Sequence, residues 1–248
     1  MVAIKIMTLN MHKGFSVWNR RFVLHELREA IRESKADVVL LQEVLGEHRE
    51  HSTRWEKWPQ NSQYEFLADT IWSAHAYGKN AVYPAGHHGN ALLSKFPITH
   101  SQNHDVSTYT QEKRGLLHCV IEQPGRARPL HTICVHLGLF ERHRRQQLDM
   151  LTELIEREVP QDAPLLVAGD FNDWRQYAHR KLERDAGLRE VFISASGRAA
   201  RTFPVRFPIL RLDRIYVRNL EAAQPRVLTC APWTRLSDHA PLQIEVSA

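Results

Sequence analysis

The stretch Leu165-Leu166-Val167-Ala168-Gly169-Asp170-Phe171-Asn172-Asp173 decides how this chain is read. Four apolar residues in succession suit a strand buried on both faces, and the glycine-led polar run after them ends it in a turn. Upstream, Arg142 to Val159 sets Leu148, Leu151, Leu154 and Ile155 on one helical face, and Pro160 and Pro164 close that helix. Downstream, Tyr177 to Asp185 is predicted as a short helix. A helix that feeds a buried strand ending in carboxylates and an amide is the unit of an α/β fold whose site lies at its strand ends.

The same arrangement recurs on both sides. Ile4 to Leu9 is a predicted strand that ends in Asn10-Met11-His12. Phe22 to Ile31 is a predicted helix, and the run Asp37 to Leu41 is a second buried strand, ending in Gln42-Glu43. Glu65 to Ala74 reads as another helix, and Asp37 as a local cap. Further strands are expected at Gly89–Ser94, Gly115–Ile121, Leu130–Leu137, Leu212–Val217, Arg226–Cys230 and Leu242–Val246, the last preceded by Ser237-Asp238-His239. Strands outnumber helices, and both β-α-β and β-β orders occur, which implies α/β architecture with mixed sheets. With no repeat, low-complexity tract or Gly/Ser linker, residues 1–248 form one domain.

Composition narrows the class. The chain has 248 residues, 43% of them apolar and 25% charged, which excludes a disordered tail, a collagen and a disulfide miniprotein. No apolar run approaches the roughly 18 residues of a membrane helix. Met1 to Leu9 is interrupted by Lys5 and has no cleavage signal, so it is read as structure and not as a secretory leader. Three cysteines without C-x-x-C spacing, two of them (Cys119, Cys134) flanking a turn-like Pro124-Gly125, imply buried thiols in a reducing compartment and a cytoplasmic location.

The net charge of +5 is concentrated. Between Ser196 and Arg218, six arginines (Arg198, Arg201, Arg206, Arg211, Arg214, Arg218) stand against the single acid Asp213. Guanidinium forks suit phosphates, so Arg201 and its neighbours are expected to line a cleft for an anionic substrate.

The four polar strand ends supply a consistent chemistry. Glu43, Asp170 and Asp238 offer hard anionic oxygens, and Asn10 and Asn172 add amide oxygens, a set suited to Mg²⁺ or Mn²⁺. Histidine beside such carboxylates suits phosphoryl chemistry near neutral pH. Competing signatures are missing: there is no phosphate-binding glycine loop, no G-x-G-x-x-G, no H-E-x-x-H and no G-x-S-x-G. His48-Arg49-Glu50-His51 is one residue short of an inverted zinc motif and reads as a charged loop.

In chain order, Thr8-Leu9-Asn10, Leu41-Gln42-Glu43-Val44, Gly89-Asn90-Ala91-Leu92-Leu93-Ser94, Val135-His136-Leu137, Gly169-Asp170-Phe171-Asn172-Asp173, Leu212-Asp213-Arg214-Ile215 and Ser237-Asp238-His239-Ala240-Pro241-Leu242 form an ordered set. Over residues 4 to about 246 the set resembles the endonuclease/exonuclease/phosphatase superfamily, the deoxyribonuclease I-like metal-dependent phosphodiesterases. The resemblance implies a four-layer sandwich, two packed mixed β-sheets flanked by helices. It implies Glu43 as the main metal carboxylate with Asn10 and Asp238 nearby, and Asp170 orienting or deprotonating the attacking water with Asn172 beside it. It further implies His239 on the scissile phosphate with Asp213 fixing its tautomer, and His136 near the phosphate or leaving group. Asn90 is expected near the substrate, and His12 and His88 are further contacts to weigh. The expected activity is Mg²⁺-dependent hydrolysis of a phosphodiester, nucleic acid among the candidates. The alternatives are a lipid or small-phosphoester hydrolase and a silent polyanion-binding module; the completeness of the set argues against the silent module.

Overall fold

The computed structural model describes residues 3–69, 71–123 and 125–247. Met1, Val2 and Pro124 of the turn expected at Pro124-Gly125 lie outside the described residues. In chain order the elements are β1 (Ile4–Asn10), α1 (Leu24–Glu33), β2 (Val38–His48), α2 (Arg49–Arg54), α3 (Gln63–Ala68), β3 (Ala74–Tyr83), β4 (Gly86–Ser94), β5 (Ile98–Asp105), β6 (Gly115–Ile121) and β7 (Leu130–His136). They continue with α4 (Glu141–Glu158), β8 (Leu165–Asp170), α5 (Tyr177–Ala186), β9 (Arg189–Glu190), α6 (Val191–Ser196), β10 (Asp213–Arg218), β11 (Glu221–Val227) and β12 (Leu242–Ser247).

Two six-stranded sheets result, ordered β11-β12-β1-β2-β4-β3 and β5-β6-β7-β8-β10-β9. The expected four layers are present. Strand residues on alternate positions sort between two cores: Ile4, Ile6, Val38 and Leu40 pack between the sheets, while Met7, Leu9, Val39 and Leu41 pack against α1 and α3. In the other sheet, Ile133, Val135, Leu165 and Val167 meet α4 and α5. Burial on both faces is why these strands read as unbroken apolar runs. Leu40→Ala, at the centre of the inter-sheet core, is expected to cost about 2–5 kcal/mol, read as a lowered midpoint in urea unfolding.

The topology gathers the strand ends. β1 and β2 are parallel, as are β7 and β8, so their C-terminal ends share a side. β12 runs antiparallel to β1, and β10 antiparallel to β8, so the residues that start them arrive at that same edge.

Several local expectations are corrected. The helix predicted over Glu65–Ala74 is shorter. It starts from a reciprocal capping box between Ser62 and Glu65 and stops at Asp69, whose φ of 45° breaks it. Thr70, within the predicted span, lies outside the described residues. β3 and β5 were not read as strands, because both are sheet edges with exposed polar residues and little apolar alternation. β11, another edge, precedes the predicted Arg226–Cys230 strand and carries a bulge. His48 to His51 is not a loop: His48 caps α2 and its ring stacks on His51. Cys119 and Cys134 are buried free thiols on neighbouring strands, two positions out of register. Asp37 is local, accepting from Lys5 N and pairing with Lys95. Among the described residues no helix is long and apolar enough to cross a membrane.

Candidate active site

Glu43 reaches the site through a distortion of β2. Between Leu41 and Val44 this strand spends one more residue than its partner β4, and Glu43 sits in the bulge at φ 56°. Left-handed backbone at a residue other than glycine costs about 1–3 kcal/mol and concentrates at functional sites. His12, Lys13 and Asn172 share that conformation at the same edge.

Asn10 joins the sheets. Its Nδ2 donates to Glu43 Oε1 at 3.4 Å and to Asp170 Oδ2 at 3.1 Å, while its Oδ1 accepts from His12 N at 3.1 Å. Asn10 therefore holds the two carboxylates with its nitrogen, and its oxygen is turned away from them.

Asp170 is the hub. Its Oδ1 accepts from Asn172 N at 2.9 Å, a turn that the left-handed Asn172 makes possible. Its Oδ2 lies 3.8 Å from His136 Nε2 and 3.9 Å from His239 Nε2. His136 and Asp213 are its register partners on the two flanking strands. His239 Nδ1 is 2.9 Å from Asp213 Oδ2, which leaves Nε2 facing Asp170. Ser237 locks this last loop in place: its hydroxyl donates to Asn10 O at 2.7 Å and accepts from His239 N at 3.2 Å. Asp238, half-buried, is 3.4 Å from His12 Nδ1.

The electrostatics separate the three central groups. Burial, with Asp213 adding to it, pushes the Asp170 carboxyl up to about 6 against the opposing pull of His239 and the hydrogen bonds from Asn172 and Asn10. Burial would lower His239, but Asp213, Asp170 and Asp238 outweigh it and raise the imidazole to about 10. His136 goes the other way: burial, then the charges of Arg114, His88, His239 and Lys13, hold it well below its ordinary value. At pH 7 the edge thus carries an imidazolium at His239, a neutral imidazole at His136 and a carboxylate at Asp170.

The donor chemistry fits a hard divalent cation. Glu43 and Asp170 both accept from Asn10 Nδ2, Asp213 and Asp238 both act on His239, and among the described residues Asp213 Oδ1 is buried with no hydrogen-bond partner. Asp170, Asp213 and His239 offer ligand atoms within 4.8 Å of one another, although the short Asp213–His239 hydrogen bond already accounts for that pair.

The two expected substrate contacts differ in burial. Asn90 is fully buried, and its Nδ2 donates to Gly115 O and Cys134 O, clipping one sheet to the other. Its Oδ1 has no partner. Arg201 is exposed and precedes Thr202, whose hydroxyl accepts from Asp213 N and whose carbonyl accepts from Ala240 N. Two of the six arginines in this segment, Arg214 and Arg218, are structural. Arg214 is buried and donates to the carbonyls of Asp213 and Asp173, and Arg218 to those of Ala186 and Pro160. Arg144 on α4 is buried too, donating to Gly138 O and Leu139 O beneath Trp174. The guanidinium fork satisfies strand and loop carbonyls at these places.

Lys13 and Arg114, whose charges bear on His136, stand in none of the sequence motifs, and Ser237 stands in one without an expected role. Arg114 immediately precedes the strand at Gly115 and donates to Leu137 O beside His136. Treating residues just before a strand like those just after one would have found it.

A buried carboxylate between one neutral and one charged histidine, on the joined edge of a two-sheet sandwich, is the arrangement of a phosphoester hydrolase. The sequence profile of the Endonuclease/Exonuclease/phosphatase family matches residues 7–239, and the chain belongs to that family. It is 57% identical over 244 residues to the protein YbhP of Escherichia coli strain K12, spanning 98% of this chain and 96% of that one. Among solved structures it is similar to the mannosyl-6-phosphatase Bt3783 of Bacteroides thetaiotaomicron, with a TM-score of 0.73 at 15% identity over 99% of this chain and 100% of that one. It is also similar to D. rerio TDP2 complexed with a single strand DNA product, with a TM-score of 0.71 at 18% identity over 100% of both chains. At these identities the likeness to both structures is one of fold.

Proposed function

We propose that the chain is a Mg²⁺-dependent phosphodiesterase of nuclease type. The observation that carries this reading is Asp170, a buried carboxylate whose Oδ2 lies 3.8 Å from His136 Nε2 and 3.9 Å from His239 Nε2. Asp170 accepts the proton of an attacking water. Asn172, whose Nδ2 is committed to Leu137 O at 3.0 Å, keeps its Oδ1 to orient that water. His239, fixed by Asp213, presents a charged N–H to a phosphate oxygen, and His136 contributes a hydrogen bond as a neutral imidazole. Glu43 and Asp238, with Asn10 steadying Glu43, would hold Mg²⁺ (or Mn²⁺), which when bound neutralises phosphate charge and stabilises charge developing on it.

A nucleic acid substrate is supported by the surroundings. A cavity of about 530 Å³ is lined by Lys13, His48, His51, Arg54, Trp55 and Tyr83 among others. Lys13, which lines the cavity, follows His12, whose ring lies 3.4 Å from Asp238. Aromatic rings interleaved with cations suit bases and their phosphates.

The test is turnover of a chromogenic phosphodiester. Activity is expected with Mg²⁺, to vanish in EDTA and to return when Mg²⁺ is restored; full turnover in EDTA would refute the reading. In a panel of single-stranded DNA, plasmid, abasic duplex, RNA, phospholipid head groups and phosphomonoesters, a nucleic acid is expected to be cleaved fastest. Preference for a monoester or a head group would move the substrate to that class.

A further inference from the structure

A second cluster of titratable side chains lies on the other face of the β5–β10 sheet. Along β7, His136 and Cys134 face the inter-sheet side, whereas His131, Ile133 and Val135 face the helix side. His118 on β6 and His104 on β5 share that helix-covered face, and Glu158 in the last turn of α4 comes down onto them. Glu158 Oε2 is 3.3 Å from His104 Nε2 and 3.3 Å from His118 Nδ1. All three ligand atoms lie within 4.8 Å of one another.

We propose that His104, His118 and Glu158 form a zinc site, separate from the catalytic edge. Bonds of about 2.0–2.1 Å to tetrahedral zinc set neighbouring ligand atoms about 3.4 Å apart, close to the two separations seen. His104 Nε2 is buried and makes no hydrogen bond, although Glu158 Oε2 is near enough for one. This nitrogen is therefore left beside the carboxylate oxygen without an aligned hydrogen bond. The other carboxylate oxygen is occupied: Glu158 Oε1 accepts from Arg157 Nε and Nη2 at 3.3 and 2.8 Å. His118 Nε2 lies 3.0 Å from His131 Nδ1, an outer partner that fixes the ring and leaves Nδ1 as the ligand. Burial also holds both imidazoles below their ordinary value, His118 at about 4, so each offers a lone pair at neutral pH.

Two imidazoles and one carboxylate select zinc over magnesium, which prefers oxygen. Three protein ligands leave the fourth position to water. Such an ion cross-links edge strand β5, adjacent β6 and the end of α4, so its effect is to fasten an exposed sheet edge.

The whole chain, stripped with EDTA and exchanged into buffer with excess Mg²⁺, is titrated with Zn²⁺ by calorimetry. One tight zinc per chain is expected here, weakened at least about 100-fold in both His104→Ala and Glu158→Gln and unchanged in Asp170→Asn. Zinc is expected to raise Tm of the parent chain and not of the two ligand variants. Both variants alter partly exposed side chains, and a cooperative thermal transition in EDTA close to the parent's reports that they fold. Absence of tight zinc, equal zinc affinity in the parent and both ligand variants, or loss of the zinc in Asp170→Asn, overturns the site. None of these results bears on phosphodiester turnover.

Discussion

Asp170→Asn is expected to lower kcat on a phosphodiester by about 100-fold to 10,000-fold, with KM little changed. Asn preserves the shape and can still accept the Asn172 backbone N–H, so the loop stays in place. It cannot take a proton from water. The parent enzyme should also lose activity as pH falls through about 6, because Asp170 is then protonated and is no longer a base. The sign follows from its environment: burial and the neighbouring Asp213 disfavour the charged form, so this limb lies higher than an ordinary aspartate would set it. A kcat–pH profile from 4.5 to 8 checks both statements. An active Asn variant that keeps the same acid limb would remove Asp170 from the role of base.

Much of this site is legible in the sequence because its residues follow buried apolar runs. Asn10, Glu43, His136 and Asp170 each stand at or just beyond such a run, and a parallel pair delivers its C-terminal residues to one edge. Asp213 is different. It starts its strand, and only the antiparallel pairing of β10 with β8 sets it opposite Asp170. Periodicity cannot announce that, and here the family resemblance supplied it. The arginines show the converse limit. Arg201 and Arg214 look alike in a list of charges, yet one is exposed while the other is buried among carbonyls. Burial of an arginine depends on acceptors brought in from distant strands, which local sequence does not reveal. The edge strands β3 and β5 were missed for a related reason: half their hydrogen-bonding capacity and much of their side-chain surface face solvent, so no apolar pattern is required of them. His104, His118 and Glu158 meet only through strand register and the descent of α4, at spacings that match no metal motif.

Asp213→Asn tests how the charge on His239 is maintained. His239 is almost wholly buried, and burial alone would drive its imidazole below the ordinary value of about 6.5. Its rise to about 10 is the work of neighbouring carboxylates, Asp213 first and through a 2.9 Å hydrogen bond. Removing that charge leaves Asp170 and Asp238 to oppose burial, so the imidazole should lose its proton at a lower pH. It also replaces an acceptor-only carboxylate by an amide whose NH2 can donate to Nδ1, which favours the tautomer with its proton on Nε2 and none on Nδ1 once the imidazole is neutral. The expected result is a fall in kcat of at least about 100-fold. With it, the alkaline limb should move from near pH 10 toward neutrality, narrowing the bell from its upper side while the acid limb moves little or downward, since the Asp213 charge also raises Asp170. A variant that merely loosened the fold would lose activity evenly across pH. An upper limb that stays near 10 would show that Asp170 and Asp238 suffice to hold the proton, and Asp213 would then keep only its orienting hydrogen bond.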